Sequence, residues 1–496
     1  MNRKRLSSSV VALLAVLSFT IGCGPESVRP SGDGDENGGD LASGDGDGDN
    51  NGNGNGDNSD DGDNNGDGDT RGDNNGDGDD NGDGDDSGDG EDEEENSLAC
   101  PPLPESGGAI RSVSPDDVAD LPRLVRTAEP NTTFLFEPGT YRLPNTLHVR
   151  VDGITMRSAN DDPTSVILDG EYDVNSLILV NGSDFTAAHL TLTRANHHPI
   201  HISPPGDATE SLTGALIYGV RILDAAQQFI KVNGNGARTA FVDFGRLECS
   251  YFELTDLGRP NVDRSATGCY TGGIDAHSAR GWVIRNNEFR DIYCAGEGLA
   301  EHAVHFWSGS RDTLVEYNRI YGCARGIGFG LSQTGHVREY DDDPYSDVEG
   351  YIGHFDGVIR NNLIVAHHAY YDTGIELAQA RGARVFHNTI YTLGATGAFS
   401  SIDYRFPNTE ATIQNNLVDR ISRRNDAEAL VSHNLEGITA SLFVDPDGED
   451  FRLVSSATAA IAQGLEISDA GHDLQGTARP QGDGPDLGAY EYLPID

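Results

Sequence analysis

Histidine, carboxylate, lysine, tryptophan and arginine recur at matching positions of a repeated strand. Each strand is marked by two apolar residues two apart: Ile200/Ile202, Ile230/Val232, Ile274/Ala276, Val304/Phe306, Ile327/Phe329, Ile375/Leu377 and Ile402/Tyr404. Successive side chains of a strand face opposite ways, so with each pair inward the residue between them points out. That outward column reads His201, Lys231, Asp275, His305, Gly328, Glu376, Asp403. Two residues further on, the adjoining column reads Ser203, Asn233, His277, Trp307, Gly330, Ala378, Arg405. Neighbouring strands lie about 4.8 Å apart, so residues scattered from His201 to Arg405 are expected to form one patch.

The residue types define the chemistry. His305 and His277 are proton carriers near neutral pH. Asp275, Glu376 and Asp403 are acids on one sheet. Glu376 and Asp403 fall on adjacent coils, so each should raise the other's hold on a proton unless a cation lies between them. That pair suits calcium or acid–base work. Lys231 or Arg405 can neutralise a substrate carboxylate, and Trp307 offers a flat apolar face to a sugar ring. Gly328 and Gly330 leave a floor without side chains, where a ligand could approach the backbone. The expected catalytic set is His305, Asp275, Glu376 and Arg405. Trp307, His277, Lys231, Gly328, Gly330 and Asp403 are expected to bind substrate. An insertion, Leu331 to Asp356, carries His336, Arg338, Asp341 to Asp343, Tyr345, Tyr351 and His354 and is expected to fold near this face as a lid. Glu301-His302-Ala303-Val304-His305 superficially matches a zinc helix motif. In a regular strand His302 and His305 face opposite sides, which excludes a shared metal there.

The elements that must position these residues show in a second repeat. The pattern apolar-x-x-Asn-x-apolar returns five times, with its asparagines at Asn287, Asn318, Asn362, Asn388 and Asn416. The β-branched content and alternation indicate strands. A unit of this period cannot bury its apolar face alone, and stacking into a solenoid solves that. Asparagine suits the corners because it tolerates unusual backbone angles, and its amides can bond from coil to coil.

Upstream, Ser114-Pro115-Asp116-Asp117 starts a helix whose Val118, Leu121, Leu124 and Val125 form an apolar stripe, fit to cap the solenoid. This cap helix, the segment Glu137-Pro138-Gly139-Thr140-Tyr141 and the asparagine-laddered coils together resemble the right-handed parallel β-helix proteins of the pectate-lyase-like superfamily, over about residues 110 to 420. The resemblance implies an all-β, single-stranded right-handed parallel β-helix with an N-terminal cap helix and a C-terminal cap segment. The superfamily holds lyases, hydrolases and non-catalytic surface proteins. Its calcium-dependent lyases use lysine and arginine as base and acid, but no segment here matches their local motifs. From Asn434 the chain resembles a tail of exported β-helix proteins, through Leu442-Phe443-Val444-Asp445-Pro446 and Asp486-Leu487-Gly488-Ala489-Tyr490-Glu491-Tyr492, and is expected to cap the open end.

The N-terminus reads as an export signal: basic Arg3, Lys4 and Arg5, then the apolar run Val10 to Ile21. Thr20-Ile21-Gly22-Cys23 resembles a bacterial lipobox, which implies acylation of Cys23 and a tether to the membrane. Residues 31 to 95 carry 26 acidic residues against the single basic Arg71, over half of the net charge of −47. With almost no apolar groups this segment should form an extended, disordered tether. Its Asp-x-Asp-Gly rhythm lacks the closing glutamate of a calcium loop. The expected layout is a signal peptide at 1–22, a tether at 23–98, the β-helix at 99–430 and a cap at 431–496. Export permits disulfides; Cys294 is expected to pair with Cys323, or else with Cys269. The reading is an exported lipoprotein of the outer membrane or cell surface, monomeric and touching membrane only through its lipid, with no nucleic-acid role. It acts on an acidic polysaccharide, as a lyase before a hydrolase, with calcium as the cofactor considered. The alternative is a non-catalytic surface protein that binds glycan or a partner.

Overall fold

The computed structural model describes residues 100–104, 107–265, 268–296, 298–392 and 398–494. The signal segment, Cys23 and the tether lie outside the described residues. Three long parallel sheets of fourteen, ten and eleven strands run the length of the folded part, and the chain visits each in turn. Right-handed winding is the rule for parallel strands joined by crossovers, and this chain is a right-handed parallel β-helix. Its interior is a column of aliphatic and aromatic side chains. Phe252 and Phe289 stack at 4.6 Å with Phe229 in the coil before. Burying each such ring is worth about 1.5–3 kcal/mol.

The N-terminal end closes as expected. Pro115–Asp117 form a short 3-10 turn, with Ser114 and Asp117 in a reciprocal capping box. The α-helix Leu121–Arg126 follows and buries Leu121, Leu124 and Val125.

The asparagine ladder lies at the corner between the fourteen- and eleven-stranded sheets. Each Oδ1 accepts from the backbone N–H and the Nδ2 of the asparagine one coil earlier, at 2.9–3.1 Å. Ser250 joins the start, its N–H donating to Asn287, and Asn434 adds a rung at the end. The strained corner angle sits one position earlier than the sequence suggested: Asn286, Tyr317, Asn361, His387 and Asn415 carry φ of 53–57°. The ladder amides hold that corner from the next position.

Of the two partners expected for Cys294, the second is found: Cys269 pairs with Cys294, and Cys100 with Cys249, leaving Cys323 as a buried thiol that burial pushes up to about 12. Two further expectations are corrected. The helix runs past residue 430, because Glu428–Ser432 and Leu435–Glu436 still pair with the preceding coil. The tail beyond them folds back along the flank of the coils instead of capping the end. Its Ile438, Phe443, Phe451 and Leu487 pack with Tyr321, Leu363, Val365 and Tyr391. Those sheet residues make the outer face of the eleven-stranded sheet apolar, so it needs a cover.

Candidate functional site

The register of the ten-stranded sheet stacks His201, Lys231, Asp275, His305, Gly328, Glu376 and Asp403 in successive coils. His277 pairs with Trp307, and Ala378 with Arg405, in the adjoining column. Ile274, Ala276, Val304 and Phe306 fill the core on the other face. From Lys231 to Asp403 the outward column is nonetheless buried, because its members and the adjoining column cover one another; His201 is half-buried.

One cluster centres on Asp275. Its Oδ2 lies 2.6 Å from Lys231 Nζ, and its Oδ1 accepts from Trp307 Nε1 at 2.8 Å. His277 Nε2 lies 3.1 Å from Lys231 Nζ and 3.4 Å from Asp275 Oδ2. Burial alone would raise the Asp275 carboxyl; Lys231 and His277 hold it well below the usual range. Burial opposes the charge of Lys231, but Asp275 and Tyr270 raise its pKa, so it is a cation at neutral pH. Burial, then Lys231, lowers His277, which is neutral there. The His305 ring lies parallel to Trp307 at 5.4 Å, and its Nε2 contacts the Gly330 carbonyl oxygen at 3.1 Å.

A second cluster surrounds Glu376, which is paired with Arg405. Arg405 also donates to the Leu331 carbonyl at 2.9 Å. His302 Nε2 lies 3.7 Å from Glu376 Oε2. Burial would raise Glu376, but His302, Arg405 and Arg325 drive it below the usual carboxylate range. Asp403 is held by both arms of Arg424, at 2.9 and 2.6 Å.

These positions revise several expected roles. His305 is 1 % exposed and cannot reach a substrate as a base. His277, with 27 % of its side chain exposed, is the accessible histidine. Arg405 and Lys231, the alternative partners of a substrate carboxylate, sit five coils apart, about 24 Å at the usual strand spacing, so they mark two separate places on the sheet. Glu376 and Asp403 do not fit calcium, since each is neutralised by its own arginine and neither offers the other an ion to share. Gly328 leaves no open floor: a Cβ there would lie 2.7 Å from the His302 ring, which fills the space. At Gly330, whose φ is +73°, a side chain would collide with the Ala378 carbonyl oxygen. The insertion borders the column only at its root. Beyond it Arg338 grips Asp243 at 2.6 and 2.7 Å, Asp342 pairs with Arg280, and His354–Phe355 join the fourteen-stranded sheet.

The exclusion of a shared site for His302 and His305 also fails. Ala303 and Val304 both pack in the core, so alternation breaks and the two rings come to 4.5 Å on the same outer face. Tyr270 was missed as a site residue, whereas Glu301 and His302 were named and excluded. Apart from Lys4, Lys231 is the only lysine of the chain.

Among solved structures, the chain is similar to pectate lyase Pel9A, with a TM-score of 0.51 and 15 % identity over 78 % of this chain and 97 % of that one. The chain has the pectate-lyase-like β-helix fold. An alginate lyase from Paenibacillus sp. strain FPU-7 aligns at a TM-score of 0.44 and 16 % identity, over 66 % of this chain and 99 % of that one. A rhamnogalacturonan lyase aligns at 0.42 and 13 %, over 68 % and 91 %. No protein-family model and no curated protein sequence matches the chain. At 15 % identity the likeness to pectate lyase Pel9A speaks for the fold alone, and the chemistry must be argued from the side chains on the ten-stranded sheet.

Proposed function

We propose that this chain is a polysaccharide lyase acting on an acidic glycan, exported and anchored to the cell envelope through Cys23. The observation that carries the reading is the one lysine of the folded part, fixed as a cation between Asp275, His277 and Tyr270 on the outer sheet face. In a β-elimination the uronate carboxylate must be neutralised so that its neighbouring carbon can release a proton. Lys231, whose side chain is 9 % exposed against 1 % for His305, supplies that charge. The neutral imidazole of His277 takes the proton, and the Tyr270 hydroxyl returns one to the departing sugar oxygen. Asp275 holds Lys231 and Trp307 in place, and Trp307 gives a sugar ring a stacking face. Pel9A, a pectate lyase on the same scaffold, favours this class over hydrolysis.

The test is incubation of the full chain with a panel of polyuronates and other acidic glycans. Ultraviolet absorbance reports the unsaturated uronate end, and a reducing-end assay runs beside it. Unsaturated product is expected from at least one polymer, lost in Lys231→Met and in His277→Ala. Reducing ends without the new absorbance would make the protein a hydrolase. Glycan binding with neither signal would make it a non-catalytic binder.

A further inference from the structure

Four buried polar atoms beside the His305–Trp307 ring stack have no hydrogen-bond partner. They are Glu301 Oε2, both ring nitrogens of His302, and His305 Nδ1. One ligand atom from each of these three residues lies within 4.8 Å of the other two. His302 and His305 are each 1 % exposed, so bulk solvent does not reach them. Leaving such groups unpaired is costly, so an occupant of the space is called for.

The hydrogen bonding around His305 says what that occupant must be. Its Nε2–H donates to the Gly330 carbonyl at 3.1 Å, which leaves Nδ1 as the nitrogen that faces the carboxylates. That nitrogen lies 3.4 Å from Asp275 Oδ1 and 3.9 Å from Glu301 Oε2, both longer than a normal hydrogen bond. A ring nitrogen and two carboxylate oxygens facing one another need a positive centre among them, a proton or a metal ion. A backbone carbonyl on the far ring nitrogen is also how metal-binding histidines are usually oriented. The charge balance agrees. Asp275, Glu301, Asp372 and Glu376 face Lys231, Arg325 and Arg405, which leaves one negative charge over.

We propose that Glu301, His302 and His305 bind a divalent transition-metal ion of the zinc type. Two imidazoles and a carboxylate suit Zn²⁺ and its neighbours and do not suit Ca²⁺, which takes six to eight oxygens. Ligand atoms about 2.0–2.1 Å from a zinc ion lie closer together than 4.8 Å, so the site closes by about an ångström on binding. Glu301 can supply that movement, because it stands at the mouth of the site just before the strand His302–Trp307, with 16 % of its side chain exposed. The ion fixes His305 and, through the parallel ring, Trp307 above it. This inference does not depend on the protein being a lyase.

The test uses the full chain, stripped with a chelator and dialysed against Zn²⁺ in the presence of excess Ca²⁺ and Mg²⁺ to occupy the acidic N-terminal segment. One zinc per chain is expected by elemental analysis. Co²⁺ in its place is expected to give visible absorption bands of a low-coordinate site. Glu301→Gln and His302→Gln should each weaken zinc binding by about 100-fold or more, while His367→Ala on a distant loop leaves it unchanged. The wild-type melting temperature should rise with Zn²⁺, and that of folded Glu301→Gln should not. Zinc stoichiometry unchanged in both ligand variants, or no zinc retained by the wild type, would overturn the proposal and leave a proton on His305 as the occupant.

Discussion

Two polar stacks run along this β-helix, each with one residue per coil resting on the next. The ladder repeats asparagine from Asn287 to Asn434, and each member offers its neighbour both a donor and an acceptor. No member is left unpaired and none titrates. The column from Lys231 to Asp403 never repeats a residue in adjacent coils, mixes charges of both signs, and leaves His305 Nδ1, with Glu301 Oε2 and the His302 ring nitrogens beside it, without hydrogen-bond partners. Both stacks are buried, so burial does not separate them. Satisfaction does: a stack whose purpose is to hold coils together closes its own hydrogen bonds, whereas one that serves a ligand keeps some open.

The comparison breaks first at the ladder. Asn362→Ala strips Asn318 of an acceptor for its N–H and its Nδ2 and leaves the Val315 carbonyl unpaired. With each buried orphan costing about 1–3 kcal/mol, a loss on the order of 3 kcal/mol is expected in chemical denaturation. It should be the same at pH 7 and pH 4, because nothing in the ladder titrates, and metal binding should persist. Next in size is Gly328→Ala, whose Cβ would lie 2.7 Å from the His302 ring. Overpacking of this kind costs about 1–3 kcal/mol. Because the displaced group is a proposed ligand, this variant should also lose zinc. Zinc retained in Gly328→Ala at wild-type affinity would separate His302 from the site.

The ladder was legible in the sequence because it repeats one residue at one place in a six-residue pattern, and the register of the sheet was legible through its inward apolar pairs. Exposure was not. Period-two alternation tells which face a side chain takes, but it does not tell that Arg424 reaches back over Asp403 or that Arg405 covers Glu376. The irregularity at Ala303-Val304 was equally hidden, since two apolar residues in a row read as one inward and one outward. That single break placed His302 beside His305. The pairing of Cys269 with Cys294 depended on loop paths that the repeat does not encode.

His302 and the ladder should also part in their response to acid. Burial, then His305, pushes His302 down to about 3 from an unfolded value near 6.5. The neutral ring is therefore favoured by folding, and its contribution is fully present above about pH 6.5. It is lost as pH falls through that value toward 3, because the unfolded chain takes up the proton first. His302→Gln is expected to flatten this part of the stability–pH curve while changing stability at pH 7 by less than about 1.5 kcal/mol. An unaltered slope between pH 6.5 and 4 would show that the ring is not held neutral by the fold. His354, pushed down to about 3 by burial, gives the same slope in the variant background and sets the residual to subtract.

The smallest effect concerns Trp307, where the two stacks differ in what one lost hydrogen bond does. Trp307→Phe keeps an aromatic ring against His305 but removes the Nε1–H that Asp275 Oδ1 accepts at 2.8 Å. Lys231 and His277 remain beside the carboxylate, so the cost to stability should stay near about 1.5 kcal/mol, the lower end of the range for a hydrogen bond to a charged group. In the ladder a lost donor has no substitute, but here the consequence moves from stability to position. Asp275 becomes free to turn, and Lys231 turns with it. The expected signature is a fall in turnover on the polymer found to be a substrate, with glycan affinity reduced only slightly because the stacking face survives. Equal losses of turnover and affinity would assign Trp307 to sugar binding alone, and its bond to Asp275 would then be packing.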